Sequence, residues 1–265
     1  MTVFALGPEG TFSHEIAVRL FGEEVTLLPT IHKIFQAVER GEGEGIVPLE
    51  NSEAGGVGPT LDGLQAHRVF ITAEAYMPIH HNLAAFEPAS DIRVIFVHPQ
   101  THEQCSEVIE SLGTEVVHTS SNGASARWMK ETPHAGAVVS GMAAAMYGIP
   151  IVMAHIENNP GNTTRFVVIE KEVAGVKEPT KCSILIDPEI DRAGLLHEIL
   201  SVFAKRKINL TRIESRPSKR GMGSYVFFID FVPTPDAGDA VGELHAITGI
   251  KHLGCYPCRE VPGWR

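Results

Sequence analysis

The chain has 265 residues, 43% hydrophobic and 20% charged, an ordinary balance for a globular protein with room for two or three compact units. Its formal net charge of −10 argues against nucleic acid or an anionic membrane surface as partner, because both demand a basic patch. No apolar run reaches membrane-spanning length, and the chain opens on a strand pattern without a basic stretch before an apolar one, so a cytoplasmic protein without a secretory signal is expected.

In chain order, the apolar run 3–6 breaks at a glycine turn, and Ile16, Ala17, Leu20 and Phe21 then mark one face of a helix. A strand, a glycine turn and a helix N-terminus form an anion-binding arrangement. Thr11 and Ser13 can cap this helix, or leave its end free for a carboxylate. A second run, 45–49, delivers Asn51 and Ser52 into a glycine-rich loop, and a third, 94–97, leads through His98-Pro99-Gln100 into a helix carrying Gln104 and Cys105. Residues 158–166, Asn-Asn-Pro-Gly-Asn-Thr-Thr-Arg-Phe, place two hydroxyls and a guanidinium at the head of an apolar strand. Gly161 lets backbone approach a bound molecule, Thr164 offers a hydroxyl, and Arg165 a planar fork suited to a carboxylate. Apolar runs alternate with helical patterns from residue 3 to about 170, which predicts an α/β fold with largely parallel strands.

Four cysteines, at 105, 182, 255 and 258, are too few and scattered for a disulfide framework and are expected to be reduced. Cys255 and Cys258 have the spacing of a redox or zinc pair, but no second pair completes a site. His98, His102 and Cys105 fall on one face of a short helix, and His80 and His81 read as solvated or core residues. No metal is expected.

Residues 171–180 are polar, contain Gly and Pro, and form the best linker. Beyond it the pattern is strand 182–186, helix 193–207, strand 209–215, a turn at 219–223, strand 224–231, helix near 237–247 and strand near 250–256. That order is βαββαβ, the ferredoxin-like unit.

Five words in this order resemble the prephenate dehydratase family along essentially the whole chain: 7–14, Gly-Pro-Glu-Gly-Thr-Phe-Ser-His; 47–52, Val-Pro-Leu-Glu-Asn-Ser; His98-Pro99-Gln100 with Gln104-Cys105; 161–166, Gly-Asn-Thr-Thr-Arg-Phe; and 208–217, Ile-Asn-Leu-Thr-Arg-Ile-Glu-Ser-Arg-Pro. The resemblance implies a catalytic region over 1–175 of the two-lobed, periplasmic-binding-protein-like type. Lobe one would hold about 1–75 and 156–175, lobe two about 76–155, with the cleft between them. Residues 180–265 would form an ACT regulatory domain. The implied activity is the decarboxylative dehydration of prephenate to phenylpyruvate, without metal or cofactor. Thr164 is then the donor to the leaving hydroxyl. Arg165 serves a substrate carboxylate directly or by fixing Thr164, and Asn51 and Gln104 are neutral donors that orient the substrate. Ser13, Thr11, Ser52, Ser121 and Phe166 complete the substrate site, with Phe166 also packing its strand.

In the ACT domain the resemblance places phenylalanine against Gly194, Leu195 and Leu196 at a helix start and Glu214, Ser215, Arg216 and Pro217 at a strand end, within a homodimer or tetramer. Departures are Val97 where many members carry serine, Ser120-Ser121 where a Ser-Thr pair is usual, and Ala193-Gly194-Leu195-Leu196 in place of Pro-Gly-Ala-Leu. Arogenate dehydratase and a non-catalytic two-lobed binding protein remain the alternatives.

Overall fold

A computed structural model describes residues 2–173, 178–189, 192–221 and 223–263. The first segment runs β1 (Val3–Leu6), α1 (Phe12–Phe21), β2 (Val25–Leu28), α2 (Ile31–Glu39), β3 (Glu44–Asn51), the short β4 (Gly55–Gly56), α3 (Gly58–Ala66) and β5 (Phe70–Pro78). The chain then builds β6 (Asn82–Ala85), β7 (Val94–Val97), α4 (Pro99–Gln104), α5 (Ser106–Leu112), β8 (Glu115–His118), α6 (Asn122–Lys130), β9 (Ala135–Val139), α7 (Gly141–Tyr147) and β10 (Ile151–Met153). It returns as β11 (Thr163–Glu170), and continues through β12 (Lys181–Ile186), α8 (Leu195–Lys205), β13 (Leu210–Pro217), β14 (Tyr225–Phe231), α9 (Ala237–Ile247) and β15 (Ile250–Tyr256).

Three sheets result. The first has the order β2-β1-β3-β11-β5, with β4 on β3; the second β10-β6-β9-β7-β8; the third β13-β14-β12-β15. The expectation of largely parallel strands is corrected: both lobes are mixed. β1 pairs in parallel with β2 and β3, and β7 with β8 and β9, but β11 runs antiparallel to β3 and β5, and β6 antiparallel to β9 and β10. A strand that re-enters a sheet from the other lobe arrives from the cleft side, which reverses its direction. The third sheet is wholly antiparallel in the ferredoxin-like order, and the βαββαβ pattern read from the sequence falls on these elements.

Burial explains the strand types. Val3, Phe4 and Ala5 in β1 are all buried, as a strand covered on both faces requires. Strand β13 instead alternates half-buried and exposed positions along its length, as an edge strand covered on one face does. Each lobe and the third sheet have their own apolar clusters. One cluster crosses between units: Phe35, Leu61, Leu64 and Ile71 of the first lobe pack with Leu185, Val226, Phe228, Leu253 and Tyr256 of the third sheet. The approach is close enough that a Cβ at Gly254, whose φ is +129°, would lie 2.3 Å from the Ile71 carbonyl.

The two crossovers between the lobes run side by side. Ile79 N–H donates to the Asn162 carbonyl at 2.8 Å and Ile156 N–H to that of His81 at 2.9 Å. Glu157 closes the hinge: one oxygen lies 2.7 Å from His80 Nδ1 and the other accepts the His81 N–H at 2.9 Å. Burial works to raise this carboxyl's pKa, but the hydrogen bonds from His80 and from the backbone N–H groups of His81 and Glu157 together outweigh it and hold it below the usual range. His80, His155 and Glu157 are the one group with metal-ligating reach among the described residues, and with both Glu157 oxygens engaged we read it as a clasp between crossovers.

The cysteine expectation is also corrected. Cys182 and Cys255 form a disulfide, whereas Cys105 is a buried thiol and Cys258 an exposed one. Sheet pairing explains this, because β12 and β15 are neighbours and bring Cys182 opposite Cys255. The local spacing of Cys255 and Cys258 is therefore not that of a pair. The linker residues 174–177 lie outside the described residues.

Candidate active site

A cleft of about 390 Å³ lies between the lobes. Four helices open onto it by their N-termini: Thr11, Phe12 and Ser13 begin α1, Ile31 begins α2, Val57 precedes α3, and Ser121 and Asn122 begin α6, while α4 lines it from its cap His98 to its last residue Gln104. This follows from strands that end at the cleft and turn directly into helices. The first-turn N–H groups and the dipoles of α1, α2, α3 and α6 give the cleft a positive potential without a side-chain cation. Among the described residues no lysine or arginine lines it.

At the centre stands Thr164, on the strand that returns from the second lobe. Because β11 is antiparallel to β3, its first residues meet the last residues of β3, and Thr164 lies opposite Asn51. The Asn51 amide is fully committed. Its Nδ2 donates to Thr164 Oγ1 at 3.0 Å and to Asn162 Oδ1 at 2.7 Å, while its Oδ1 accepts the N–H groups of Glu53 and Ala54 at 3.1 and 3.0 Å. Asn51 lines the cleft and also aims Thr164. With one lone pair of Oγ1 occupied, the Thr164 hydroxyl can turn its hydrogen toward the cleft.

From the opposite lobe comes Gln104, whose Oε1 lies 3.0 Å from His81 Nε2. Burial pushes the His81 pKa down and favours the neutral ring; the tautomer with a proton on Nε2 donates to Gln104 Oε1 and leaves the Gln104 NH₂ for a ligand. His81 Nδ1 is buried without a partner. His81, expected to be solvated or in the core, is buried and holds Gln104 at the cleft.

Of the other expected residues, Thr11, Ser13, Ser121 and Phe166 line the cleft. Thr11 Oγ1 accepts the His14 N–H and Ser121 Oγ the Ala124 N–H, so both hydroxyls also cap helices. Ser52 does not line it: its Oγ accepts the Thr163 N–H at 3.0 Å and its own N–H donates to the Thr163 carbonyl, so it ties the β3 loop to the head of β11.

Of the two roles expected of Arg165, direct contact with a substrate carboxylate is the one the structure corrects. Consecutive residues of a strand face opposite sides, and Arg165 points away from the cleft, with its side chain 4% exposed. Its Nε donates to Glu74 at 2.7 Å, one terminal nitrogen to Asp230 at 2.6 Å and Glu50 at 3.3 Å, and the other to the Tyr256 hydroxyl at 2.9 Å. Burial opposes its charge, but Asp230, Tyr256 and Glu74 outweigh that and raise its pKa further. It is not available to a substrate carboxylate.

In the third sheet, Gly194 sits at φ +85° and precedes α8 without a side-chain cap, and Leu196 is exposed. Glu214 pairs with Arg212, and Arg216 lies 3.3 Å from Asp62 of α3, so the expected effector strand also touches the first lobe.

Residues 3–174 match the prephenate dehydratase family and residues 184–249 the ACT domain family. The prephenate dehydratase of Methanocaldococcus jannaschii is 35% identical over 94% of this chain and 96% of its own. The structure of prephenate dehydratase in complex with L-Phe from Arthrobacter aurescens superposes with a TM-score of 0.89 at 31% identity, covering 97% of this chain and 90% of that one. A protein described as GqqA, a novel type of quorum quenching acylase, superposes at 0.85 with 25% identity over 98% of both chains. With family matches on both sides of the linker and a full-length relative of the same kind, the chain belongs to the prephenate dehydratase family and carries a C-terminal ACT domain.

Proposed function

We propose that the cleft converts prephenate to phenylpyruvate, carbon dioxide and water, under feedback control by phenylalanine. The observation that carries this reading is the Thr164 hydroxyl, its oxygen held by Asn51 and its hydrogen free to turn into a cleft ringed by helix N-termini. The bond from the ring to its carboxylate breaks, and its electron pair enters the ring. The hydroxyl on the far side of the ring departs as water on taking one proton, drawn in the end from solvent, so that the reaction consumes a proton. Thr164 donates a hydrogen bond to that leaving oxygen, and the Gln104 amide is placed to add a second. A threonine is a weak acid, so its contribution is polarisation of the leaving group in a partly dry site. The two substrate carboxylates are met by the first turns of the helices, which answers the repulsion of a chain with net charge −10.

The acylase description of one relative makes amide hydrolysis the competing chemistry. The cleft does not favour it. Among the described residues no cleft-lining serine is hydrogen-bonded to a histidine side chain, and burial pushes the nearby Cys105 thiol up to about 12, so no activated nucleophile is present. Incubating the purified protein with prephenate, with arogenate and with an N-acyl amide, then assaying phenylpyruvate, phenylalanine and released acid, tests the reading. Turnover of the amide alone would overturn it.

For regulation, the L-Phe bound to the Arthrobacter relative supports an effector site in the ACT domain, with Gly194 to Leu196 and Glu214 to Pro217 as its walls. The exposed edge of β13 and the exposed Leu196, Ile213 and Tyr225 support pairing of these domains between subunits of a cytoplasmic homo-oligomer. Effector binding inhibits if it prefers an assembly with a less productive cleft, at a coupling of ~1–3 kcal/mol. Calorimetry with phenylalanine on the intact protein checks this.

A further inference from the structure

The ACT sheet reaches the catalytic strands through a buried ionic cluster. Arg165 is one residue from Thr164 and Glu50 one residue from Asn51, and the two pairs are in register: Thr164 opposite Asn51, Arg165 opposite Glu50. The cleft-facing pair and the outward-facing pair are thus parts of the same two strand ends. Three of the four ACT strands touch the outward pair, and the fourth braces their partners. Strand β14 supplies Asp230 and β15 supplies Tyr256 to Arg165, and β13 supplies Arg212, whose Nε lies 3.0 Å from Glu50. On β12, Ser183 bridges Asp230 and Tyr256 at 2.5 Å each, and Lys181 bonds Glu74 at 2.9 Å. The cations Arg165, Lys181 and Arg212 lie among Glu50, Glu74, Asp230 and Glu214, so every cation of the cluster has a carboxylate partner.

We propose that Tyr256 and Asp230 of the ACT domain are positioning residues for Thr164, acting through Arg165. This rests on the dehydratase reading only in that Thr164 is the catalytic group. A strand cannot turn one side chain without turning its neighbour to the other face. A guanidinium fixed by four partners in a dry interface therefore sets the twist of β11 at residues 164–165, and with it the direction of the Thr164 hydroxyl. Geometry at this level governs turnover more than binding, because misplacement of a reacting group by about 1 Å can cost ~100-fold. The same cluster gives the ACT domain a mechanical hold on the cleft. Any rearrangement of its sheet against β5 and β11 reaches Arg165 first.

Tyr256→Phe is the sharpest test, since it removes one hydroxyl and keeps the buried ring. In the intact protein we expect kcat with prephenate to fall about tenfold or more while KM changes less than about threefold. In a Thr164→Ala background the same change should lower the residual kcat by less than about twofold, because the group it positions is gone. Asp230→Asn should behave like Tyr256→Phe, and Asp230→Glu should recover part of the loss. Amide hydrogen exchange at residues 163–166 should quicken in Tyr256→Phe with the rest of the chain unchanged. Wild-type kcat in Tyr256→Phe, or an equal loss in both backgrounds, would overturn the proposal. If the unaltered protein turned over no prephenate, the dehydratase reading would fall by itself. The exchange at 163–166 would then decide the positioning claim, quickened exchange supporting it and unchanged exchange refuting it.

Discussion

Thr164 and Arg165 are consecutive residues on opposite faces of β11, so the hydroxyl at the centre of the cleft is one peptide unit from the guanidinium that seals the ACT interface. The two side chains invite different experiments, although the sequence presents them as one word.

Thr164→Ala should lose most turnover, by ~10²–10⁴-fold, with a modest change in KM. Thr164→Ser should retain more, because the serine hydroxyl can still accept from Asn51 Nδ2 and turn its hydrogen to the substrate. Steady-state kinetics on prephenate separate the outcomes. Near-normal kcat in the alanine variant would remove Thr164 from the reaction.

Arg165→Ala should act on stability before binding. It leaves Glu74 and Asp230, both 3% exposed, without their shared partner, and breaking a buried pair in this way costs ~3–5 kcal/mol. Urea denaturation should show a large fall in midpoint. Arg165→Lys should recover little, since one ammonium cannot replace three directed nitrogens. A variant with wild-type stability and a selectively raised KM would restore Arg165 to the substrate.

Much of this was legible in the residues. Glycine turns between apolar runs and helices located the cleft edge, and Thr164, Gln104, Ser121 and the start of α1 do line it. What could not be read was direction. Strand alternation puts one of Thr164 and Arg165 in the cleft, but the partners that decide between them, Asp230 and Tyr256, lie 65 and 91 positions further along the chain. The same limit hid the disulfide, whose cysteines are 73 residues apart and meet only through the strand order of the third sheet. The hold of His81 on Gln104 could not be read either, because it is a contact between a crossover and a helix that no local pattern encodes.

The cysteine arrangement predicts a staged thiol titration. Under non-reducing conditions the native protein should present the exposed Cys258 to a thiol reagent, denaturation should add the buried Cys105, and reduction should add Cys182 and Cys255. Four thiols in the denatured, unreduced protein would show that the bridge does not form.

Acid should weaken the fold through histidines. Burial lowers the pKa of His81, His98 and His252 below the ordinary 6.5. Below that value the unfolded chain binds protons that the native chain refuses, so stability is full above it and falls as pH drops through it. Glu157 and Glu39, both held low, extend the loss below about 4.5. Urea midpoints between about pH 7.5 and about pH 5.5 should decline with acidification, and His81→Gln should flatten the slope by up to one proton. A flat profile would contradict the burial of His81.

Truncation after residue 178 should destroy the catalytic region, even though a polar linker there invites the cut. The ACT sheet contributes Leu185, Val226, Phe228, Leu253 and Tyr256 to the core of the first lobe, and their removal would expose Phe35, Leu61, Leu64 and Ile71 to water. Each such side chain gains ~1.5–3 kcal/mol from full burial, so the loss rivals the whole stability of a domain. The cut also strips Asp230 and Tyr256 from Arg165, and removes Lys251, whose ammonium caps the end of α3 by donating to the carbonyls of Leu64 at 2.6 Å and His67 at 2.5 Å. The truncated chain should be insoluble or unfold without a cooperative transition, and phenylalanine control should be measurable only in the intact protein. A soluble fragment with wild-type kcat would mean that the shared core and the Arg165 cluster are dispensable, and that the ACT domain is a separate attachment to the cleft.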